Sequence, residues 1–222
     1  MKESLKYFFE RTTPLGTLAR FQRNRQLAKK FKRWEKKGSI PPMPHLGKQR
    51  VVIDYIRRSG INVFIETGTY KGRMVYAVMP YVKEIYTIEL DEAHFQDARK
   101  RFAGYPNIHI LQGQSGHVLP DVLSGIDESC LFWLDAHWSG GSTAKSESDT
   151  PIMQELEGIL DHKEANNSVI LIDDAHLFTG KNDYPSLETL RAYILGRHPD
   201  WSFKVHNGII RIHAQKDHAR EP

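Results

Sequence analysis

Residues 63–72 read Val63-Phe64-Ile65-Glu66-Thr67-Gly68-Thr69-Tyr70-Lys71-Gly72. An apolar run that ends in an acid and then breaks into glycines predicts a buried strand turning sharply into a helix. Gly68 supplies the positive φ such a turn needs, and Gly72 lets the following helix pack closely on the strand. Backbone N–H groups are then left facing a ligand at the carboxyl edge of a sheet. Two glycines after a strand are common, so this stretch is informative only with its continuation. Ile85-Tyr86-Thr87-Ile88-Glu89 is a second strand ending in an acid, about 20 residues on, where a ribose-binding carboxylate follows a glycine loop.

On either side of this unit the pattern alternates helix and strand. Residues 48–58 predict a helix with Val51, Val52, Tyr55 and Ile56 facing inward, stopped by Ser59-Gly60. A helix through Met74, Val75, Val78 and Met79 follows the glycine loop. Residues 91–102 form an amphipathic helix, with Asp91 at its start and Arg99-Lys100-Arg101 complementing its other end. Further strands are expected at 108–111, 131–134 and 169–172. Helices fit 116–123, 151–162 (Thr150 as N-cap, Pro151 first) and 187–195. Asn207-Gly208 between two strand-like runs, 203–206 and 209–212, signals a hairpin. The expected fold class is α/β: a Rossmann-like, doubly wound, mostly parallel sheet with a C-terminal antiparallel hairpin.

The chain has 222 residues and a mass of 25.6 kDa, which suits one such domain with an appendage. No apolar run reaches the roughly 18 residues of a membrane span, and no secretory leader is evident. The single cysteine excludes an intramolecular disulfide framework and a Cys-rich zinc site. A cytoplasmic protein is expected, with a peripheral position at the inner membrane face open to it.

The net charge of +4 conceals an asymmetry. Residues 1–37 carry 12 Lys/Arg against 3 Asp/Glu, a net of +9, whereas the remainder carries 19 against 24, a net of −5. Residues 1–45 are therefore read as a basic arm with a Pro-rich linker, and 46–222 as the domain. Beyond Pro14 the arm is helical, with Phe21, Leu27, Ala28, Phe31 and Trp34 in one sector and Lys/Arg filling most of the rest. One reading docks this helix on the domain; another lays residues 14–37 on an anionic membrane surface. Nucleic acid is a third, less favoured partner that charge alone leaves open.

Ligands of open α/β sheets bind outside the carboxyl ends of the strands. The fourth strand runs into Asp135-Ala136-His137, and the fifth into Asp173-Asp174-Ala175-His176. Neighbouring strands would bring Asp135, Asp173 and Asp174 together, where mutual repulsion requires a proton or a cation. Oxygen-only ligands suit Mg²⁺, or Mn²⁺. Helix capping and Asx turns are the plainer roles, and the Asp-Asp pair beside a third Asp favours the metal.

The order Glu-x-Gly-x-x-x-Gly, acid after the second strand, Leu-Asp-x-His and Ile-Asp-Asp resembles the class I S-adenosylmethionine-dependent methyltransferases. Within them it is similar to the metal-dependent sugar O-methyltransferases of the macrocin and aminocoumarin type, over about residues 46–213. Catechol-type enzymes share the layout but usually place Asp-Asn where this chain has Asp173-Asp174. The resemblance implies that Glu66, Thr67, Gly68 and the loop through Tyr70 and Gly72 line the methionine part of S-adenosylmethionine. It implies that Glu89 binds the ribose, that Gln114 and Ser115 lie near the adenine, and that Asp135 borders both cofactor and metal. Tyr70 replaces the middle glycine of the family loop, and Gln114 replaces a frequent acid.

It further implies methyl transfer to a hydroxyl of a sugar, glycan or other vicinal-oxygen small molecule, with Mg²⁺ on that oxygen. His137 stands where the sugar enzymes carry an Asp proposed as base, and His176 is the competing base. Residues 139–150, with Lys145 and Glu147, read equally as a lid or an ordinary surface loop. An RNA ribose O-methyltransferase and a non-catalytic membrane-associated protein of the same fold are the alternatives. An NAD-dependent oxidoreductase would satisfy Glu89 but leave the three aspartates without a role.

Overall fold

In the computed structural model, residues 14–135 and 150–215 are described, with side chains from residue 25 onward. Seven strands form one sheet: β1 Val63–Thr67, β2 Glu84–Glu89, β3 Ile108–Gln112, β4 Cys130–Leu134, β5 Val169–Ile172, β6 Trp201–His206 and β7 Ile209–Ala214. Their spatial order is β3-β2-β1-β4-β5-β7-β6. All pairs from β3 to β5 are parallel, and β7 runs antiparallel to both β5 and β6. The expected doubly wound sheet and its hairpin are both present. Asn207 and Gly208 take φ of 53° and 81°, as a two-residue turn with the twist of the strands requires.

The helices are α1 Pro14–Lys36, α2 His45–Ser59, α3 Arg73–Val78, α4 Glu92–Phe102, α5 Ser115–Ser124, α6 Ile152–Asp161 and α7 Leu187–Arg197. Among the described residues, none is long and apolar enough to cross a membrane. The central strands β1 and β4 are buried along their whole length, because both faces of a parallel sheet carry helices. One face packs Ile65, Phe132, Ile170 and Ile212 against α5, α6 and α7; the other packs Phe64, Trp133 and Leu171 against α2 and α3. Cys130 is buried at the start of β4, where burial pushes its thiol up to about 12, so it is a structural thiol.

Local expectations hold with small shifts. Asp91 caps α4 by accepting the His94 N–H at 2.9 Å. α6 begins one residue later than expected, with Pro151 at the cap position, and Thr150 Oγ1 still accepts the Ile152 N–H. Gly72 has a different reason from the one expected. Its φ is +60°, and a Cβ there would lie 2.6 Å from the Phe102 ring of α4. The residue thus makes room for a side chain of the neighbouring helix, and the strand is not what it approaches.

The arm's helix meets the body through its C-terminal turns, against α2. Phe31 is buried and stacks on Trp34, and the Arg50 guanidinium lies over its ring at 4.7 Å. Gly47 has no side chain to obstruct this approach, since a Cβ would meet Phe31 and Met43 at 2.6 Å. Docking therefore uses part of the apolar sector, while Arg25, Lys29, Lys30, Lys32, Arg33, Lys36 and Lys37 stay exposed.

Candidate active site

The turn after β1 is tied to the end of β2. The N–H groups of Gly68 and Thr69 both donate to the Ile88 carbonyl, and Gly68 takes φ of 90°, a conformation open to glycine at no steric cost. Glu89 is buried, and its carboxylate accepts the Tyr70 N–H at 2.7 Å and the Asp91 N–H at 2.9 Å. Each carboxylate oxygen keeps a second lone pair for a ligand. Tyr70 is exposed and takes φ of 44°, its ring edge-on to His94. Glu66 is buried and accepts the Thr87 hydroxyl at 2.8 Å. Burial, with the charges of Asp135 and Glu89 added, raises its pKa well above the ordinary value, against the opposing Thr87 bond. The crevice between β1 and β2 thus offers two buried carboxyl groups, and burial disfavours the charged form of Glu66.

Gln114 and Ser115 follow β3 as expected, but their side chains are engaged in holding helices. Gln114 accepts the His117 N–H to cap α5 and donates to Gln154 of α6. Ser115 is buried and its hydroxyl donates to Glu155 of α6. Glu155 is 1 % exposed, and burial pushes its carboxyl up to about 7. It escaped the sequence reading, although a signal existed: Ile152, Glu155, Leu156 and Ile159 share one helical stripe, so an acid stands in an apolar row.

The carboxylate cluster forms because β1, β4 and β5 end in register. Thr67 pairs with Leu134, and Leu134 with Ile172. The ladder continues one step, through Asp135 N–H to the Thr67 carbonyl at 3.1 Å and Asp173 N–H to the Leu134 carbonyl at 3.0 Å. Asp174 takes φ of 49° and donates its N–H to Asp173 Oδ1 at 2.8 Å. One ligating oxygen from each of Asp135, Asp173 and Asp174 lies within 4.8 Å of the other two. Such an all-oxygen set fits a hard divalent cation that retains water.

Lys48 of α2 was not foreseen. Its ammonium ion-pairs with Asp173 and lies 3.4 Å from Asp174 Oδ1. Burial alone would lower its pKa, and the Asp173 and Asp174 charges outweigh that and raise it. Asp173 is pushed up to about 7 by burial and by the Asp135 charge, with Lys48 pulling the other way. His45, one turn before Lys48, shares a contact with Gln49; burial and the Arg73 charge hold its imidazole at about 4, against the opposing Asp135. His176 is half exposed, with Nδ1 4.0 Å from Asp174 Oδ1. Beneath the cluster a cavity of about 20 Å³ is bounded by Asp135, Asp173, Glu155, Thr150 and Tyr184, room for about one water. His137 and the 139–149 segment with Lys145 and Glu147 lie outside the described residues.

No family model matches the chain, and no curated protein is similar to it in sequence. Solved structures do share its architecture. The SAH-bound methyltransferase PaMTH1 of Podospora anserina is 16 % identical with a TM-score of 0.54, over 86 % of this chain and 88 % of that one. TomG of Streptomyces achromogenes, an O-methyltransferase involved in tomaymycin synthesis and solved with SAM, is 14 % identical with a TM-score of 0.55, over 86 % and 89 %. An O-methyltransferase from Bacillus cereus in complex with SAH gives 14 % and 0.55, over 86 % and 91 %. With its strand order, its reversed β7 and its acids at the strand ends, this chain has the fold of the class I S-adenosylmethionine-dependent O-methyltransferases.

Proposed function

We propose that the protein is an S-adenosylmethionine-dependent O-methyltransferase that uses a divalent cation, Mg²⁺ or Mn²⁺, and acts on a hydroxyl of a sugar, glycan or other vicinal-oxygen small molecule. The observation that carries this reading is the set of three aspartates within 4.8 Å, beside a crevice whose two acids end β1 and β2. Glu89, fixed by two backbone N–H groups, accepts the ribose hydroxyls. Glu66, Thr67 and Gly68 line the methionine end. Burial and the charges of Asp135 and Glu89 favour the protonated form of Glu66 there, a form that can donate a hydrogen bond.

Asp135, Asp173 and Asp174 would hold the cation, which would supply Lewis acidity toward an acceptor oxygen. The same residues fix that oxygen relative to the crevice, so the protein's contribution is chiefly orientation. Lys48, paired with Asp173 and near Asp174, offsets part of the cluster's negative charge and would compete with a cation for it. His137, two residues beyond Asp135, accepts the hydroxyl proton, with His176 as the competing base.

Lys48 also supports a second reading, in which its ammonium remains in the cluster and itself stabilises the developing alkoxide. Calorimetry with S-adenosylmethionine and NAD, each with and without Mg²⁺, tests the assignment. Binding of S-adenosylmethionine, with no response to NAD, is expected. NAD binding alone would overturn it. Methyl transfer to a panel of sugars and catechols in EDTA separates the two readings: activity lost in EDTA and restored by Mg²⁺ supports the first, and full activity in EDTA the second.

A further inference from the structure

A groove of about 620 Å³ runs along α2, away from the acidic cluster, between the docked end of α1 and the β6–β7 hairpin. Four guanidinium groups line it, those of Arg50, Arg57, Arg58 and Arg211, against the two acids Glu35 and Asp54. Asp54 pairs with Arg58 at 3.0 Å. Arg50 and Arg57 lie over the rings of Phe31 and Tyr81, each at 4.7 Å, which orients their charge without neutralising it.

Arg211 is the unusual member. It belongs to β7, is 5 % exposed, and packs its guanidinium against the Tyr55 ring at 5.8 Å. Its Nε is buried with no hydrogen-bond partner, and among the described residues no carboxylate ion-pairs with it. A guanidinium stays charged when buried, and a buried charge without a counter-ion is strongly destabilising. A groove that presents such a group beside three more is built for an anion brought from outside.

The rim of the groove identifies the kind of anion. Five large apolar side chains are exposed among the described residues: Ile40, Tyr70, Tyr81, Leu90 and Val205. Tyr81 lines the groove, and Ile40 and Val205 adjoin its lining residues Ser39 and His206. Aliphatic side chains beside clustered guanidinium groups have no partner on a free phosphate or on a nucleic-acid backbone. They do have one where phosphates overlie acyl chains. The Lys and Arg of α1 from Arg25 onward are also exposed, so the helix that borders the groove is itself basic. We propose that this groove is a phospholipid headgroup site, taking the phosphate of an anionic glycerophospholipid, with α1 lying along the membrane surface.

The full-length protein, in low salt, is mixed with vesicles of phosphatidylcholine alone and of phosphatidylcholine with phosphatidylglycerol, and binding is read by flotation. Binding to the anionic vesicles alone is expected, weakening as salt is added. Arg50→Gln and Arg57→Gln, both at exposed positions, should each lower vesicle affinity about fivefold, as for a basic residue close to an anionic surface. Arg211→Met should lower it at least as much and, having removed an unpaired buried charge, should not lower thermal stability. If that variant fails to fold, the two exposed variants decide. Absence of binding to anionic vesicles would overturn the proposal, as would equal binding by wild type and the Arg50→Gln/Arg57→Gln protein. Inorganic phosphate that displaces the protein at a concentration too low to act by screening would show a soluble-anion site instead. Tighter, Arg57-dependent binding to a single-stranded RNA than to vesicles would assign the groove to nucleic acid.

Discussion

Glu155→Gln should make the protein more stable at alkaline pH and flatten its pH dependence. The wild-type carboxyl is 1 % exposed, and burial raises its pKa from 4.5 to about 7, against the Ser115 hydrogen bond. A raised value means that the native state holds the proton more tightly than the unfolded chain. The resulting stability is present in full below about pH 4.5, and it is lost as pH rises through about 7. Between about pH 5.5 and about pH 8.5 the loss amounts to about 2 kcal/mol, at 1.36 kcal/mol per unit of pKa difference. Glutamine has the same shape, offers Ser115 an acceptor, and has no proton to lose. Urea unfolding of both proteins at the two pH values measures the effect. The variant should gain about 2 kcal/mol on wild type between the lower and the higher pH. Glu66 is shifted in the same direction, but it is common to both proteins and cancels in the difference. An identical stability difference at both pH values would refute the reasoning.

Glu89→Ala should weaken S-adenosylmethionine binding by about 1–3 kcal/mol, the cost of ribose hydroxyls left without an acceptor; unchanged affinity in a folded variant places the ribose elsewhere. Asp135→Asn, Asp173→Asn and Asp174→Asn should each reduce methyl transfer while largely sparing cofactor affinity, with partial rescue by excess Mg²⁺; wild-type rates in all three would remove the cluster from the chemistry. Lys48→Met should raise Mn²⁺ affinity, read by calorimetry without any substrate, on the order of tenfold, because the competing ammonium is gone. Weaker binding would show instead that Lys48 orders the aspartates for the cation. Gly72→Ala should lower stability by about 2 kcal/mol, since it combines a positive φ with a contact against Phe102; an unchanged melting temperature would mean that Phe102 swings aside freely.

The strand carrying Glu66, the glycine turn, the acid Glu89 and the Asn207-Gly208 hairpin were legible in the sequence, because each is written in residues adjacent along the chain. Turn chemistry and the period of apolar residues act over a few positions, so they survive in a linear reading. The aspartates were legible for a related reason. A parallel α/β sheet collects the ends of its strands on one edge, so Asp135 and Asp173 had to meet once β4 and β5 were neighbours.

Lys48 was not legible. It lies 125 residues from Asp173, on a helix whose pattern gives no reason to single out one of its four Lys and Arg residues. Only the packing of α2 over the sheet edge determines which cation enters the cluster. The same holds for Arg211, which reads as an ordinary polar residue in an alternating strand until α2 and the hairpin bury it. The arm shows the division within one helix. Its charge and apolar sector follow from composition and the 3.6-residue period, whereas the choice of Phe31 as the docked residue rests on the space left by Gly47. Local sequence determines what each element is and which face is apolar. Which charges are stripped of water, and which partners they then meet, is decided when distant elements pack together, because the energy of a charge depends on everything within several ångströms of it.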